Sequence, residues 1–338
     1  MHAIDMHCDT LMNQYMTVRK KLGFADPLNI DGANILDGDT MVNLERLRQA
    51  EAMAQFFAIF MFPYRNYKKY CKVDPLPDEV YIAGCAKIFE TALVKNAHIA
   101  AKACTAADIE KNFAAGKISA VLTMEDGRAV AGNIENLDRY YNMGIRAISL
   151  TWNDFNCIGA PCSDDPAVMR QGLTSFGKEA VTHMQELGIM VDVSHLSDGG
   201  FYDVAKICKK PFIATHSNCR ALSPHRRNLT DEMIRVIGDA GGVAGLNFGP
   251  EFLNKDITCK ESTAAMIAKH ARHMANVGGV GCVALGSDFD GLHGELEIGN
   301  SSQVPLLAKA LQMEGFSEDE IDQIAEKNVL RVMRDTIC

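Results

Sequence analysis

The sequence predicts a (β/α)8 barrel with insertions after its first and second strands. Three observations lead there: eight short apolar, often β-branched runs, a helical pattern after most of them, and metal-binding residue types at the ends of five. The runs are AIDMH (3–7), AQFFAIFM (54–61), SAVLTME (119–125), RAISLTW (146–152), IMVDVSH (189–195), PFIATH (211–216), GVAGLNF (242–248) and CVALGSD (282–288). Parallel strands joined by crossover helices give this rhythm, with a doubly wound open sheet as the alternative.

The helices justify themselves one by one. Ser197 can cap a helix whose stripe is Phe201, Val204, Ala205 and Cys208, and Pro211 prevents its continuation. The segment 174–188 places Phe176, Ala180, Val181, Met184 and Leu187 on one face and stops at Gly188. Near the end, Ser317 and Glu320 have capping-box spacing ahead of Ile321, Ala325, Val329 and Val332, a helix that would close the ring. Residues 11–50 and 62–80 are surplus to the barrel and would lie over its C-terminal face, where active sites are built. With no linker or internal repeat, residues 1–338 read as a single domain.

Composition narrows the function. A net charge of -9 argues against a nucleic-acid partner. No apolar run approaches the roughly 20 residues of a membrane helix, and the first run starts too early to leave room for a signal peptide. Eleven irregularly spaced cysteines fit free thiols in a reducing compartment, so a cytoplasmic location is expected.

The stretch IDMHCDT alternates Asp5, His7 and Asp9, which a continuous strand would place on one face. Such a face calls for a compensating charge. His7 and Asp9 end strand one, Glu125 strand three, His195 strand five, His216 strand six and Asp288 strand eight. Six such groups at one barrel mouth exceed the needs of a single four-coordinate ion, so two divalent cations are expected, with Glu125 as the bridging carboxylate. Cations of this kind supply hydroxide at neutral pH, and Asp288 is the acid left to carry a proton. Asp288 is preferred to Asp290 because it continues the run CVALGS directly; Asp5 lies deeper and reads as structural or as a support behind the ligands.

Nearly end to end, the chain resembles the membrane (renal) dipeptidase family of dizinc peptidases. The resemblance is carried by IDMHCD, NLERLRQAEAMAQFFAIF, LTMEDG, VDVSH, ATHSNCRALSPHRRNLTD, GSDFDG and NVLRV. It implies that His7, Asp9 and Glu125 hold one zinc, that Glu125, His195 and His216 hold the other, and that Arg227 binds the terminal carboxylate of a dipeptide. A planar guanidinium beside the metals would favour short substrates with a free C-terminus. The family commonly tolerates a C-terminal D-residue and often forms dimers; a homodimer is one option, and the composition leaves the oligomeric state open.

One position departs. Animal members carry a histidine where this chain has Trp152, a substrate-facing candidate whose indole donates one hydrogen bond and does not titrate near neutrality. Either the metal would supply more of the oxyanion stabilisation, or Asn153 or Asn156 could take over polarisation of the carbonyl.

Other patterns are set aside. GLTSFGKE (172–179) has Glu179 where a P-loop needs Ser or Thr, His270 and His273 belong to an outer helix, Cys157 and Cys162 have no second pair, and Cys8 points away from its neighbours. The expectation is a dizinc dipeptidase. Its rivals are another amide hydrolase on the same metals, acting on N-acyl amino acids or β-lactam-like rings, and a metal-stabilised binding protein that has lost catalysis.

Overall fold

A computed structural model describes residues 1–337. Its strands are β1 (Ile4–Asp5), β2 (Ala54–Phe60), β3 (Ala100–Lys102), β4 (Ile118–Glu125), β5 (Ile145–Ser149), β6 (Met190–Asp192), β7 (Ile213–Ala214), β8 (Val243–Leu246), β9 (Glu261–Ser262), β10 (Val283–Leu285) and β11 (Glu295–Leu296). Eight of them close in parallel in the order β1, β2, β4, β5, β6, β7, β8, β10 and back to β1, surrounded by helices. All eight expected runs contribute a barrel strand. The longest pairing runs from Ala54↔Ser119 to Phe60↔Glu125 and delivers Glu125 to the mouth.

Each barrel strand contributes one residue to an apolar layer: Ile4, Phe56, Val121, Ala147, Met190, Ile213, Val243 and Ala284. The helix Asn328–Thr336 seals this layer from below with Val329, Val332 and Met333. One turn higher along the strands the inward positions become polar, among them Thr123, Ser149, Asp192 and Thr215, and the next layer carries the site.

Two expectations are corrected. β3 was not anticipated; it pairs with the start of β4 on the side that β5 occupies further along. The alternation of Asp5, His7 and Asp9 also fails, because β1 ends at Asp5. Ala3 and Asp5 face Leu47 and Ala50 on the outer side, Ile4 and Met6 face the interior, and the phase slips after Met6 so that His7 turns inward.

The insertions lie where expected. The helix Thr10–Lys21 sends Met12, Asn13, Met16, Thr17 and Lys20 along one wall of the cleft, and Phe62, Tyr70 and Cys71 of the second insertion join them. Among the described residues, no helix is long and apolar enough to cross a membrane. Ser197 caps Asp198–Ile207, Thr174 caps Ser175–Leu187, and Ser317 with Glu320 forms a capping box.

Candidate active site

Above the polar layer, His7, Asp9, Glu125, His195, His216 and Asp288 converge from five strand ends on a cleft of about 640 Å³. Glu125 is central: its Oε2 lies 3.4 Å from His7 Nε2, and its Oε1 lies 2.9 Å from His195 Nε2 and 3.6 Å from His216 Nε2. His7 Nε2 is also 3.8 Å from Asp9 Oδ1 and 3.7 Å from Asp288 Oδ1. The rings of His7 and His216 stack with centroids 3.9 Å apart.

Local backbone geometry aims these groups. His195 and Asp288 adopt left-handed φ angles of 68° and 65°, a conformation that costs a non-glycine residue about 1–3 kcal/mol and that clusters at functional sites. Gly291 has no room for a side chain, since a Cβ there would collide with Asp9 Oδ2 and approach Asp288 Oδ1.

Burial and charge compete in the site. Burial disfavours the charged form of His7, but Glu125, Asp9 and Asp288 outweigh it and push its pKa up to about 10. His195 is lowered to about 4 by burial and by Arg227, and His216 is lowered by burial and the charge on His7. Burial pushes Asp288 up to about 6, opposed by His7 and assisted by Glu125. Burial resists ionisation of Glu125 as well, yet His7 and the three imidazole contacts hold it well below the usual range. The arrangement is short of positive charge.

His7 Nε2 and Asp9 Oδ1 are fully buried and make no hydrogen bond among the described residues. His195 Nε2 and His216 Nε2 face each other at 3.1 Å. Orphaned nitrogen and oxygen atoms of these types, packed around one carboxylate, fit divalent cations.

A model of the membrane dipeptidase family, peptidase family M19, matches residues 1–337. The chain belongs to that family. It is therefore a metallopeptidase of the dipeptidase type. Over 318 residues it is 31% identical to a dipeptidase of Aspergillus oryzae, covering 90% of this chain and 72% of that protein. An uncharacterized protein of Klebsiella pneumoniae is 35% identical over 237 residues, 68% of this chain and 86% of that one. A metallopeptidase of Rhodobacter sphaeroides, solved with a phosphinate mimic of L-Ala-D-Ala, superposes with a TM-score of 0.83 at 25% identity over 99% of both chains.

The other expected residues of this M19 chain are also located. Arg227 is buried beside the cleft, donating to Ser217 Oγ and His216 O, with Nε free of a partner among the described residues. Trp152 lines the cleft, its ring 5.0 Å from Phe60 and 6.0 Å from His195. Asn153 meets His195 Nδ1 through its Oδ1 at 3.3 Å, whereas Asn156 is committed to Asp126 and Leu150 O and does not line the cleft. Asp290 also lines the cleft, but its carboxylate is taken up in accepting from Thr10, Met41 and Val42. Asn247, which donates to Asp288 Oδ2 at 2.8 Å, was missed although it sits at the end of the seventh run, where polar residues signal function.

Proposed function

We propose that this M19 chain is a dizinc dipeptidase whose substrates include dipeptides with a C-terminal D-residue. The observation that carries the reading is the convergence of three imidazoles and three carboxylates, with two orphaned buried donor atoms, in a cleft that also presents Arg227. In this reading His7, Asp9 and Glu125 hold one zinc, and Glu125, His195 and His216 hold the other. When bound, the ions supply a water of lowered pKa and a Lewis acid for the scissile carbonyl.

The chain's own groups do the rest. Asn247 occupies one oxygen of Asp288, leaving Oδ1 toward His7 and the cleft, where it can take a proton from water and return it to the leaving amine. Arg227 offers its guanidinium to the substrate's C-terminal carboxylate. Trp152 and Phe60 place an apolar wall beside His195. The phosphinate bound by the Rhodobacter relative supports acceptance of a D-residue.

The test is hydrolysis of L-Xaa-D-Ala and L-Xaa-L-Ala dipeptides, with zinc content measured on the same sample. Release of amino acids is expected, reduced at least ~100-fold in Asp288→Asn while two ions remain bound. Two bound ions without release from any dipeptide would overturn the reading in favour of N-acyl amino acids.

A further inference from the structure

Two buried aspartates outside the donor set share a bonding pattern. Asp192, ending β6, accepts from the N–H of Ser194 two residues ahead and the N–H of Thr215 beside β7, both at 2.9 Å. The hydroxyls of Thr215, at 2.6 Å, and Ser149 complete its shell. Asp5, ending β1, accepts from the N–H of His7 two residues ahead, and from the N–H and hydroxyl of Ser287 beside β10. Thr215 immediately precedes His216, and Ser287 immediately precedes Asp288.

One difference between the clamps matters. The Ser287 hydroxyl lies near a backbone carbonyl, that of His7, whereas the Thr215 hydroxyl lies 2.8 Å from His216 Nδ1. A hydroxyl has one hydrogen. Asp192 receives four donors and so acts as acceptor only, which commits the Thr215 hydrogen to it. Toward His216, Thr215 then offers a lone pair, and the imidazole must carry its proton on Nδ1. Nε2 is left with a lone pair facing Glu125 Oε1 at 3.6 Å.

We propose that Asp192 is a positioning residue that sets the tautomer of His216 through Thr215 and thereby makes Nε2 the atom available to a metal. The inference rests on the metal-binding reading above. Asp192→Asn is nearly isosteric but reverses the relay: its amide donates to Thr215, Thr215 donates to His216 Nδ1, and the ring proton moves to Nε2.

Two readouts test this on the full chain. In zinc-free protein, ¹⁵N spectra of the histidines, with His216 assigned by its loss in His216→Gln, should show Nδ1–H in wild type and Nε2–H in Asp192→Asn. In zinc titrations, one of two binding steps should weaken at least ~10-fold in Asp192→Asn. Thr215→Ser, which keeps the hydroxyl, should bind both ions as wild type does, and Thr215→Val should reproduce the weakened step; this pair decides the matter if Asp192→Asn fails to fold. An unchanged tautomer in Asp192→Asn, or Thr215→Val binding zinc like Thr215→Ser, would overturn the proposal. Wild-type protein that binds fewer than two ions defeats the two-ion reading instead, while the ¹⁵N spectrum still decides the tautomer.

Discussion

Gly291 shows how closely individual residues are fitted at the mouth. A methyl group there would displace the Asp9 carboxylate, whereas Gly281, at the foot of the barrel, has open space around it. Gly291→Ala is expected to weaken zinc binding on the Asp9 side ~10-fold or more, with Gly281→Ala unchanged; equal affinities in a zinc competition assay would refute the argument. Asp288 gives a second prediction at this scale. It must be ionised to accept a proton, and burial pushes it up to about 6 before cations act on it. Cations lower such a value, so kcat/KM should fall with acid through a limb at or below about pH 6, and a limb centred above 7 would sink its assignment. The strand-end rule singled out His7, Asp9, Glu125, His195, His216 and Asp288 in the sequence, and the fold brings these side chains together. Asn247 obeyed the same rule but has no charge to draw attention, and the left-handed backbone of His195 and Asp288 leaves no mark in residue type.

Among the elements, the first insertion is held by a strap invisible in the sequence. Asp290 accepts from Met41 N at 2.8 Å, Val42 N at 3.3 Å and Thr10 Oγ1 at 2.5 Å, joining residues far apart in the chain. Spacing predicts neighbours within a helix or strand but not such closures, so the sequence ranks Asp290 below Asp288 without indicating what Asp290 holds. Asp290→Ala removes an acceptor from three donors and should cost ~2–3 kcal/mol in urea unfolding, with faster hydrogen exchange at the amides of Met41 and Val42. Unchanged exchange there would mean that the strap holds nothing. β3 escaped for a different reason: Ala100–Lys102 is three residues of weak β-propensity, ordered by pairing with β4. Conversely, the capped helices were legible because hydrophobic period and capping residue agreed locally.

At the scale of the molecule, the barrel and its outer helices are bound by buried polar links whose protonation affects folding. His270, on the helix Ala264–Gly278, is a structural histidine, as its place on the outer ring suggested. Its Nδ1 accepts from Cys219 N, and its Nε2 faces Leu253 O, joining the helix to the segment after β7 and to the short helix Pro250–Leu253 after β8. Protonating Nδ1 would break the first bond inside the core. Burial therefore lowers its pKa to about 4, against 6.5 for the free side chain. Because the folded value is depressed, the unfolded chain binds the proton first as pH falls: the stabilisation is complete above 6.5, declines below it, and is lost once pH passes about 4. Between pH 7 and 5 this residue should contribute ~2 kcal/mol of lost stability. Urea unfolding of wild type and His270→Gln at both pH values isolates the contribution, because loss of metal and protonation of the site affect both proteins alike. Wild type should lose ~2 kcal/mol more than the variant across that interval, and equal losses would show that His270 is free to titrate in the folded protein.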